Sequence, residues 1–491
     1  MPKTPIAALA FAGVFLSCPV DPLHAAPSPG PAGAPSAETA VIQALPVEPE
    51  NEASSPTGAI RIQVDWSTVR YQTTERLFSV AGFQAGNPEV VSRDAYRKGL
   101  EHMGIGSLRY HSAESMRDVS ESPNGWLDRT NQTWAADRIR TAVAGWNPPG
   151  VQKSINIIGW PAWMDTDKNG YLDDNQTDAF AAFCAEMVRL VNTEAKLGIP
   201  YFEITNEKDG LYWIDPQRQG KPHRIDELAD IYLRAARAMK KEDPGLKTGG
   251  PAAQRPDRNE PLLAWAKAVL PELDFLSVHM YASGDPADPD IHIWDRTEAM
   301  GRATRQLRKA LDEMSPDRHI ELHVNEYNIS WTWKTREVRM TNHIGGVFDA
   351  LAMVEMAEGG ADVIQAWNEC DGIYGKMDNE HRLRSGAHVL HLFNRFLVGD
   401  VVASTSGRKR QVVPYAVRGK NGESILLINR TDRSRTVVLT QAIPPIANGK
   451  ILQFQVDANG FNPDGVPLTS WPATLDLSPA SVTLLNVSPG S

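Results

Sequence analysis

The stretch Tyr201-Phe-Glu-Ile-Thr-Asn206, followed by an amphipathic segment over residues 225–241 and then by Lys247-Thr-Gly-Gly-Pro251, decides the fold of this chain. The first and third segments are short runs of the kind that form buried strands, whereas the middle segment repeats its apolar residues at helical spacing. A strand, a helix and a second strand in this order predict two parallel strands, because parallel neighbours need a crossover between them.

The same alternation of strand and helix occurs eight times between residues 75 and 395. The strand candidates are residues 77–83, 105–110, 154–160, 201–206, 247–251, 275–280, 321–325 and 363–367. Eight such units predict an α/β fold with a closed (β/α)8 TIM barrel over residues 75–398, whose chemistry lies at the carboxyl ends of the strands. A doubly wound open sheet is the alternative that the periodicity leaves open.

The segments on either side of this barrel have different patterns. Residues 399–491 contain short alternating runs separated by turn residues, which predicts an accessory antiparallel β-sandwich, and residues 58–74 hold a strand that we expect to join it. Residues 1–25 have the pattern of a signal peptide, which predicts a secreted or periplasmic protein. Residues 26–57 are rich in Pro and Ala, and we expect them to form a disordered spacer.

The composition narrows the range of partners. The chain has 491 residues, 42% of them hydrophobic, and a formal net charge of -10, which describes a folded protein and argues against nucleic acid as a partner. No segment after the signal approaches the length of about 18 apolar residues that crosses a membrane. A Gly-rich phosphate loop and a His-Glu-x-x-His motif are both missing, so we expect catalysis to require no cofactor. The sequence does not indicate the oligomeric state.

Two Asn-Glu pairs carry the strongest indication of chemistry. Asn206-Glu207 follows the fourth strand candidate and Asn325-Glu326 closes the seventh, so both carboxylates are expected at the same barrel mouth. Cleavage of a glycosidic bond uses such a pair, about 5–5.5 Å apart for retention and about 6.5–9.5 Å apart for inversion. The alternatives are a non-catalytic carbohydrate-binding barrel and an inverting hydrolase or lyase on the same fold.

On these motifs the chain resembles the clan A glycoside hydrolases, and within them family 39, which includes β-xylosidases, α-L-iduronidases and exopolysaccharide hydrolases. The resemblance implies a secreted, retaining hydrolase of a plant or bacterial polysaccharide or oligosaccharide. In it Glu207 is the acid/base, Asn206 holds the sugar's 2-hydroxyl and Glu326 is the nucleophile. The chain departs from the clan after the acid/base, where Lys208 stands in place of the frequent proline.

Other predicted substrate-binding residues follow the remaining strands. The resemblance implies that the arginine of Arg109-Tyr110-His111 lies under the nucleophile, where a guanidinium would keep the carboxylate ionised. It also implies that His279 steadies the acid/base region and that Tyr281 bonds the nucleophile. Aromatic rings suit the apolar faces of sugars, and the predicted platforms are Trp367, Trp160 and Trp331.

A separate acidic loop follows the third strand candidate. The run Asp165-Thr-Asp167-Lys-Asn169-Gly170-Tyr171-Leu-Asp173 reproduces the first nine positions of an EF-hand-type loop. Oxygen ligands at positions 1, 3, 5, 7 and 9 with a Gly at position 6 predict a structural Ca²⁺ site. The alternative is a solvated acidic turn, because the twelfth position is Gln176 and not a bidentate Glu.

Overall fold

The computed structural model describes residues 58–257, 259–445 and 449–489. The predicted signal peptide over residues 1–25 and the spacer over residues 26–57 lie outside the described residues. Within the described part of the chain, none of the helices combines the length and the apolar character needed to cross a membrane.

Strands and helices alternate over most of the chain. The strands are β1 (Ile60–Gln72), β2 (Phe78–Gly82), β3 (Ser107–Tyr110), β4 (Leu127–Asp128), β5 (Thr133–Trp134), β6 (Gln152–Ile157), β7 (Tyr201–Ile204), β8 (Lys247–Ala253), β9 (Phe275–Ser283), β10 (Glu321–Ser330), β11 (Val363–Trp367), β12 (Gly399–Ser406), β13 (Val412–Gly419), β14 (Gly422–Asn429), β15 (Arg435–Gln441), β16 (Lys450–Asp457), β17 (Gly460–Phe461), β18 (Val466–Leu468), β19 (Thr474–Leu477) and β20 (Ser481–Ser488). The α-helices are α1 (Pro88–Val91), α2 (Asp94–Met103), α3 (Ala136–Gly145), α4 (Thr177–Val188), α5 (Asp215–Arg218), α6 (Ile225–Glu242), α7 (Asn259–Val269), α8 (Asp290–Met314), α9 (His343–Glu358) and α10 (Ser385–Phe396).

Eight of these strands close into a barrel. Their order around it is β10-β11-β2-β3-β6-β7-β8-β9, and every neighbouring pair is parallel. The predicted (β/α)8 barrel is confirmed, and the open-sheet alternative is wrong. Because all eight strands run in the same direction, their carboxyl ends meet at one mouth.

The helix α6 shows why these segments fold as they do. Leu228, Tyr232, Ala235 and Met239 recur at helical spacing and are buried, so one face of the helix packs against the barrel. Acidic residues stand in its first turn and lysines in its last turn, where they complement the helix dipole.

A curled and largely antiparallel sheet forms the second domain. Its strands follow the order β17-β16-β20-β14-β13-β12-β1-β15-β19, and β18 pairs with β16. The strand β1 lies antiparallel to β12 and parallel to β15, so the chain enters this sheet before it builds the barrel. One sheet face carries apolar residues such as Ile62 and Leu427, which form a core of their own, while Tyr415, Leu426 and Leu484 belong to the same core cluster as the barrel.

Candidate active site

The two predicted catalytic carboxylates meet at the barrel mouth. Glu207 lies three residues beyond the end of β7, and Glu326 lies within β10. One carboxylate oxygen of Glu207 and one of Glu326 are within 4.8 Å of each other. This separation is close to the retaining arrangement of about 5–5.5 Å and shorter than the inverting one of about 6.5–9.5 Å.

The backbone around the two carboxylates differs from the expectation in one respect. Glu326 does not end its strand, because β10 continues to Ser330 and remains paired with β9 as far as Ser283. Glu207 has a left-handed φ of 52°, and its N–H donates to the carbonyl of Ala252 at 3.0 Å. A non-glycine residue rarely adopts such a φ, so the fold holds the acid/base candidate in an unusual turn.

Both oxygens of the Glu326 carboxylate accept a hydrogen bond. Arg109 Nη1 donates to Oε1 at 2.8 Å and the Tyr281 hydroxyl donates to Oε2 at 2.6 Å. His111 Nε2 lies 3.5 Å from Oε1, and Glu326 is only 5% exposed. Charge-assisted hydrogen bonds of this kind fix the orientation of a carboxylate. The geometry therefore suits a nucleophile.

Arg109 also binds Glu203, a residue to which the sequence analysis gave no role, and thereby links the Asn206 and Asn325 sides of the site. Its Nε donates to Glu203 at 2.7 Å and its Nη2 donates to Asn206 at 2.7 Å. Glu203 also accepts a hydrogen bond from Asn325 Nδ2 at 2.6 Å. In the sequence its sign is an acidic residue inside the otherwise apolar strand β7, which does not by itself show that the side chain faces the barrel interior.

His279 lies between the two carboxylates. Its Nδ1 is 2.8 Å from Glu207 Oε1 and its Nε2 is 3.4 Å from Glu326 Oε1. Burial by itself would lower the pKa of His279, but the charges of Glu326 and Glu207 outweigh it and hold this pKa above its usual value. The imidazole can therefore carry a proton beside the acid/base candidate.

The segment that contains both glutamates matches a known protein family. Residues 180–374 match the sequence model of Glycosyl hydrolases family 39. The chain resembles the family 39 glycosyl hydrolases. The resemblance inferred from the motifs is thereby confirmed, and the matched segment includes both Glu207 and Glu326.

The proteins similar to this chain include a curated β-xylosidase and two solved structures. A β-xylosidase of Geobacillus stearothermophilus is 30% identical over 217 residues, which are 42% of this chain and 41% of that protein, so the match spans about two fifths of its length. The GH39 enzyme of Xanthomonas axonopodis pv. citri superposes with a TM-score of 0.60 at 16% identity, covering 88% of this chain and 97% of that one. A monomeric β-xylosidase of Caulobacter crescentus gives a TM-score of 0.61 at 15% identity, covering 88% and 99%. At these identities the two structures support the fold alone.

The predicted aromatic platforms lie in three different environments. Trp367 is half-buried, and its ring lies 5.2 Å from that of His111. Trp160 is only 7% exposed, and Lys208 Nζ lies 4.2 Å from its ring centroid, so this ring packs inside the wall of the barrel mouth. Trp331 is 61% exposed.

The predicted calcium ligands converge only in part. Oxygens of Asp165, Asp167 and Asp173 lie within 4.8 Å of one another. The Asn169 side chain donates to Asp167 at 2.7 Å, and position 7 would contribute the backbone carbonyl of Tyr171, whose hydroxyl donates to the carbonyl of Leu211 at 2.9 Å. An all-oxygen donor set fits Ca²⁺, which takes its ligands from carboxylates and carbonyls. Calcium binding stays a prediction.

The two residues after Glu207, the partly buried Lys208 and the buried Asp209, were given no role by the sequence analysis. Burial lowers the pKa of Lys208 to about 8, against the opposing charge of Asp165. Burial raises the pKa of the Asp209 carboxyl to about 7. Asp209 is fully buried, and its Oδ2 accepts the N–H of Gln254 at 3.0 Å. These groups tie the turn that carries the acid/base candidate to its neighbours.

Proposed function

We propose that this chain is a retaining glycoside hydrolase that acts by double displacement. The observation that carries the proposal is the pair of carboxylates within 4.8 Å at the barrel mouth, together with the different environments of the two groups. Glu326 is buried and bonded by Arg109 and Tyr281, whereas the Glu207 side chain is 40% exposed. The buried, oriented carboxylate suits attack on carbon, and the more exposed one suits proton exchange with water.

The reaction proceeds in two steps. In the first, Glu207 donates its proton to the glycosidic oxygen while a Glu326 oxygen attacks the anomeric carbon, so that the aglycone leaves as an alcohol and a glycosyl ester forms. In the second, Glu207 takes a proton from water, which attacks the anomeric carbon and releases the Glu326 carboxylate. Two inversions give net retention, and the enzyme returns to its starting protonation state.

The substrate class that we propose to test first is the β-xylosides. The support is the sequence match to a protein named β-xylosidase. Arabinosides, glucans and bacterial exopolysaccharides complete the panel. We also propose that the protein acts outside the cytoplasm, on the pattern of residues 1–25 alone.

Substitution of each glutamate tests the assignment of roles. We expect Glu326→Gln to abolish turnover of p-nitrophenyl β-D-xyloside, because the amide cannot form the glycosyl ester. We expect Glu207→Gln to lower kcat by about 10²–10⁴-fold on natural glycans but much less on a 2,4-dinitrophenyl glycoside, whose leaving group needs no proton. Glu380→Gln, a substitution of a side chain that is 66% exposed, is the matched control.

Two further measurements examine the stereochemistry and the nucleophile. Proton NMR of the first product should show the anomer of the substrate, and a 2-fluoro glycoside should label the peptide that contains Glu326. An inverted first product, or a Glu326→Gln protein with activity near that of the wild type, would refute the proposal.

A further inference from the structure

The loops after the sixth and seventh barrel strands carry a concentration of exposed apolar side chains. Among the described residues seven large hydrophobic side chains are exposed, and four of them lie on these two loops or in the first turn of the helix that follows each loop. They are Trp331 (61%), Val338 (56%), Trp333 (52%) and Ile291 (42%). We call residues 284–291 and 331–338 the rim. Exposed aromatic groups collected in one place mark a binding surface more often than isolated ones do.

Trp331 is held in a fixed position although its ring is exposed. Its backbone N–H donates to the carbonyl of Ser283 at 3.1 Å. Its indole lies so close over Gly284 that a Cβ at that residue would come 2.4 Å from Cε2 and 2.6 Å from Nε1. The glycine therefore makes room for one side of the ring, while the opposite side stays open to solvent. An aromatic ring prepared in this way loses little freedom on binding a ligand.

A buried arginine fastens the two loops of the rim to each other. Arg339 is 7% exposed, and it donates from Nη1 to the carbonyl of Asp288 at 2.5 Å and from Nε to Glu337 at 2.7 Å. The same Nη1 lies 3.2 Å from Asp290 Oδ1. The loop with the tryptophans is thus anchored on the neighbouring loop, so the rim has a defined structure at the barrel mouth.

The rim continues the strand that carries the nucleophile. Trp331 stands five residues beyond Glu326, and at about 3.3 Å per residue of extended strand the two are about 16 Å apart. That distance exceeds the reach of a single sugar ring bound at Glu326. A ligand that touches both must be a chain, and flat aromatic faces beside polar loop groups suit the alternating apolar and hydroxyl surfaces of sugars.

We propose that Trp331 and Trp333 form a platform for a carbohydrate chain that extends from the bond cleaved at Glu207 and Glu326. The substrate is then an oligosaccharide or polysaccharide chain and not a short glycoside. This inference rests on the proposed function, because it takes the mouth to be a glycosidase site. The platform binds sugar residues far from the reacting atoms, so it acts on KM more than on kcat.

Chain-length dependence tests the platform directly. For the wild type we expect kcat/KM to rise from xylobiose to xylohexaose. We expect Trp331→Ala to lower the ratio of kcat/KM on xylohexaose to kcat/KM on p-nitrophenyl β-D-xyloside about tenfold, mainly through KM, which corresponds to the loss of one aromatic stacking contact. Gly284→Ala, which displaces the ring without removing it, should change the ratio in the same direction. Ile443→Ala, at an equally exposed apolar residue of the sheet domain, is the control.

A binding measurement separates failure of this inference from failure of the proposed function. Glu326→Gln is titrated with xylohexaose and cellohexaose, following tryptophan fluorescence, with and without Trp331→Ala. A wild type that cleaves aryl xylosides without any preference for chain length overturns the platform and leaves the hydrolase standing. Binding that depends on Trp331, in a protein that cleaves no glycoside, supports the platform and refutes the hydrolase. The absence of both binding and cleavage overturns both.

Discussion

Asp209 lies two residues after the acid/base candidate and couples stability to pH. Its carboxyl is fully buried, with Glu207, His279 and Arg255 as its charged or titratable neighbours. Burial raises its pKa from 3.8 to about 7. Below about pH 4 the group is protonated in both the folded and the unfolded chain. As the pH rises through 7 the folded chain must ionise a buried group, so stability is lost.

We therefore predict that the stability difference between Asp209→Asn and the wild type changes with pH. Between pH 4 and pH 8 the free energy of unfolding of the variant should rise relative to that of the wild type, by up to about 4 kcal/mol. Urea unfolding at pH 4.5, 6 and 8 measures this difference. Glu369, whose pKa burial also raises to about 7, is present in both proteins and cancels. A difference that stays constant with pH contradicts the prediction, and Asp137→Asn at a fully exposed residue supplies the baseline.

Some site residues could be predicted from the sequence because they stand in short motifs at strand ends. Arg109 and Tyr281 belong to this group, and both contact Glu326. Glu203 could not be placed, because a single sequence does not show which side of a buried strand faces the barrel interior. The burial of Trp160 was not predicted for a different reason. Its ring is covered by Lys208, which stands where the clan often has proline.

At the scale of elements, the sequence predicted where the barrel strands lie better than it predicted where they end. All eight barrel strands match in position, but β10 continues to Ser330, five residues beyond the predicted end of that strand. Polar residues such as Asn328 resemble a loop in the sequence, yet the pairing of β10 with β9 keeps this segment extended. In the sheet domain β12 was not predicted, because its sequence is half polar, although it pairs with both β1 and β13.

The acidic loop over residues 165–173, which follows β6, is predicted from the sequence to bind Ca²⁺. If it binds calcium, the ion stabilises the folded chain in proportion to the logarithm of its concentration. We expect addition of Ca²⁺ to a chelator-treated protein to raise the melting temperature by about 2–5 °C. Asp167→Asn should remove this rise, whereas Asp137→Asn should retain it. A melting temperature that Ca²⁺ leaves unchanged in the wild type would show that the loop is a solvated acidic turn.

At the scale of the whole molecule, the packing of the two domains explains the helix α9. The residues from Gly345 to Ala357 are all buried, and the apolar residues of α9 surround the helix instead of forming a stripe. A helix that is apolar on all sides is buried on all sides, and α9 lies in the shared core cluster of the barrel and the sheet domain. The sequence carried this signal, although it did not show which sheet face covers the helix.

Arg430, directly after the end of β14, forms ion pairs with the barrel helix α8. It is 1% exposed, its Nη1 lies 3.0 Å from Glu298 and its Nη2 contacts Asp295, both on α8. Its two partners remain partly exposed, so removing the arginine costs less than breaking a wholly buried pair. We expect Arg430→Met to lower the free energy of unfolding by about 1–3 kcal/mol and to speed amide exchange in α8. Arg433→Met, at a side chain that is 79% exposed, should change stability by less than about 0.5 kcal/mol. Equal stability of the two variants in urea would mean that the contacts of Arg430 with α8 add nothing to the stability of the folded chain.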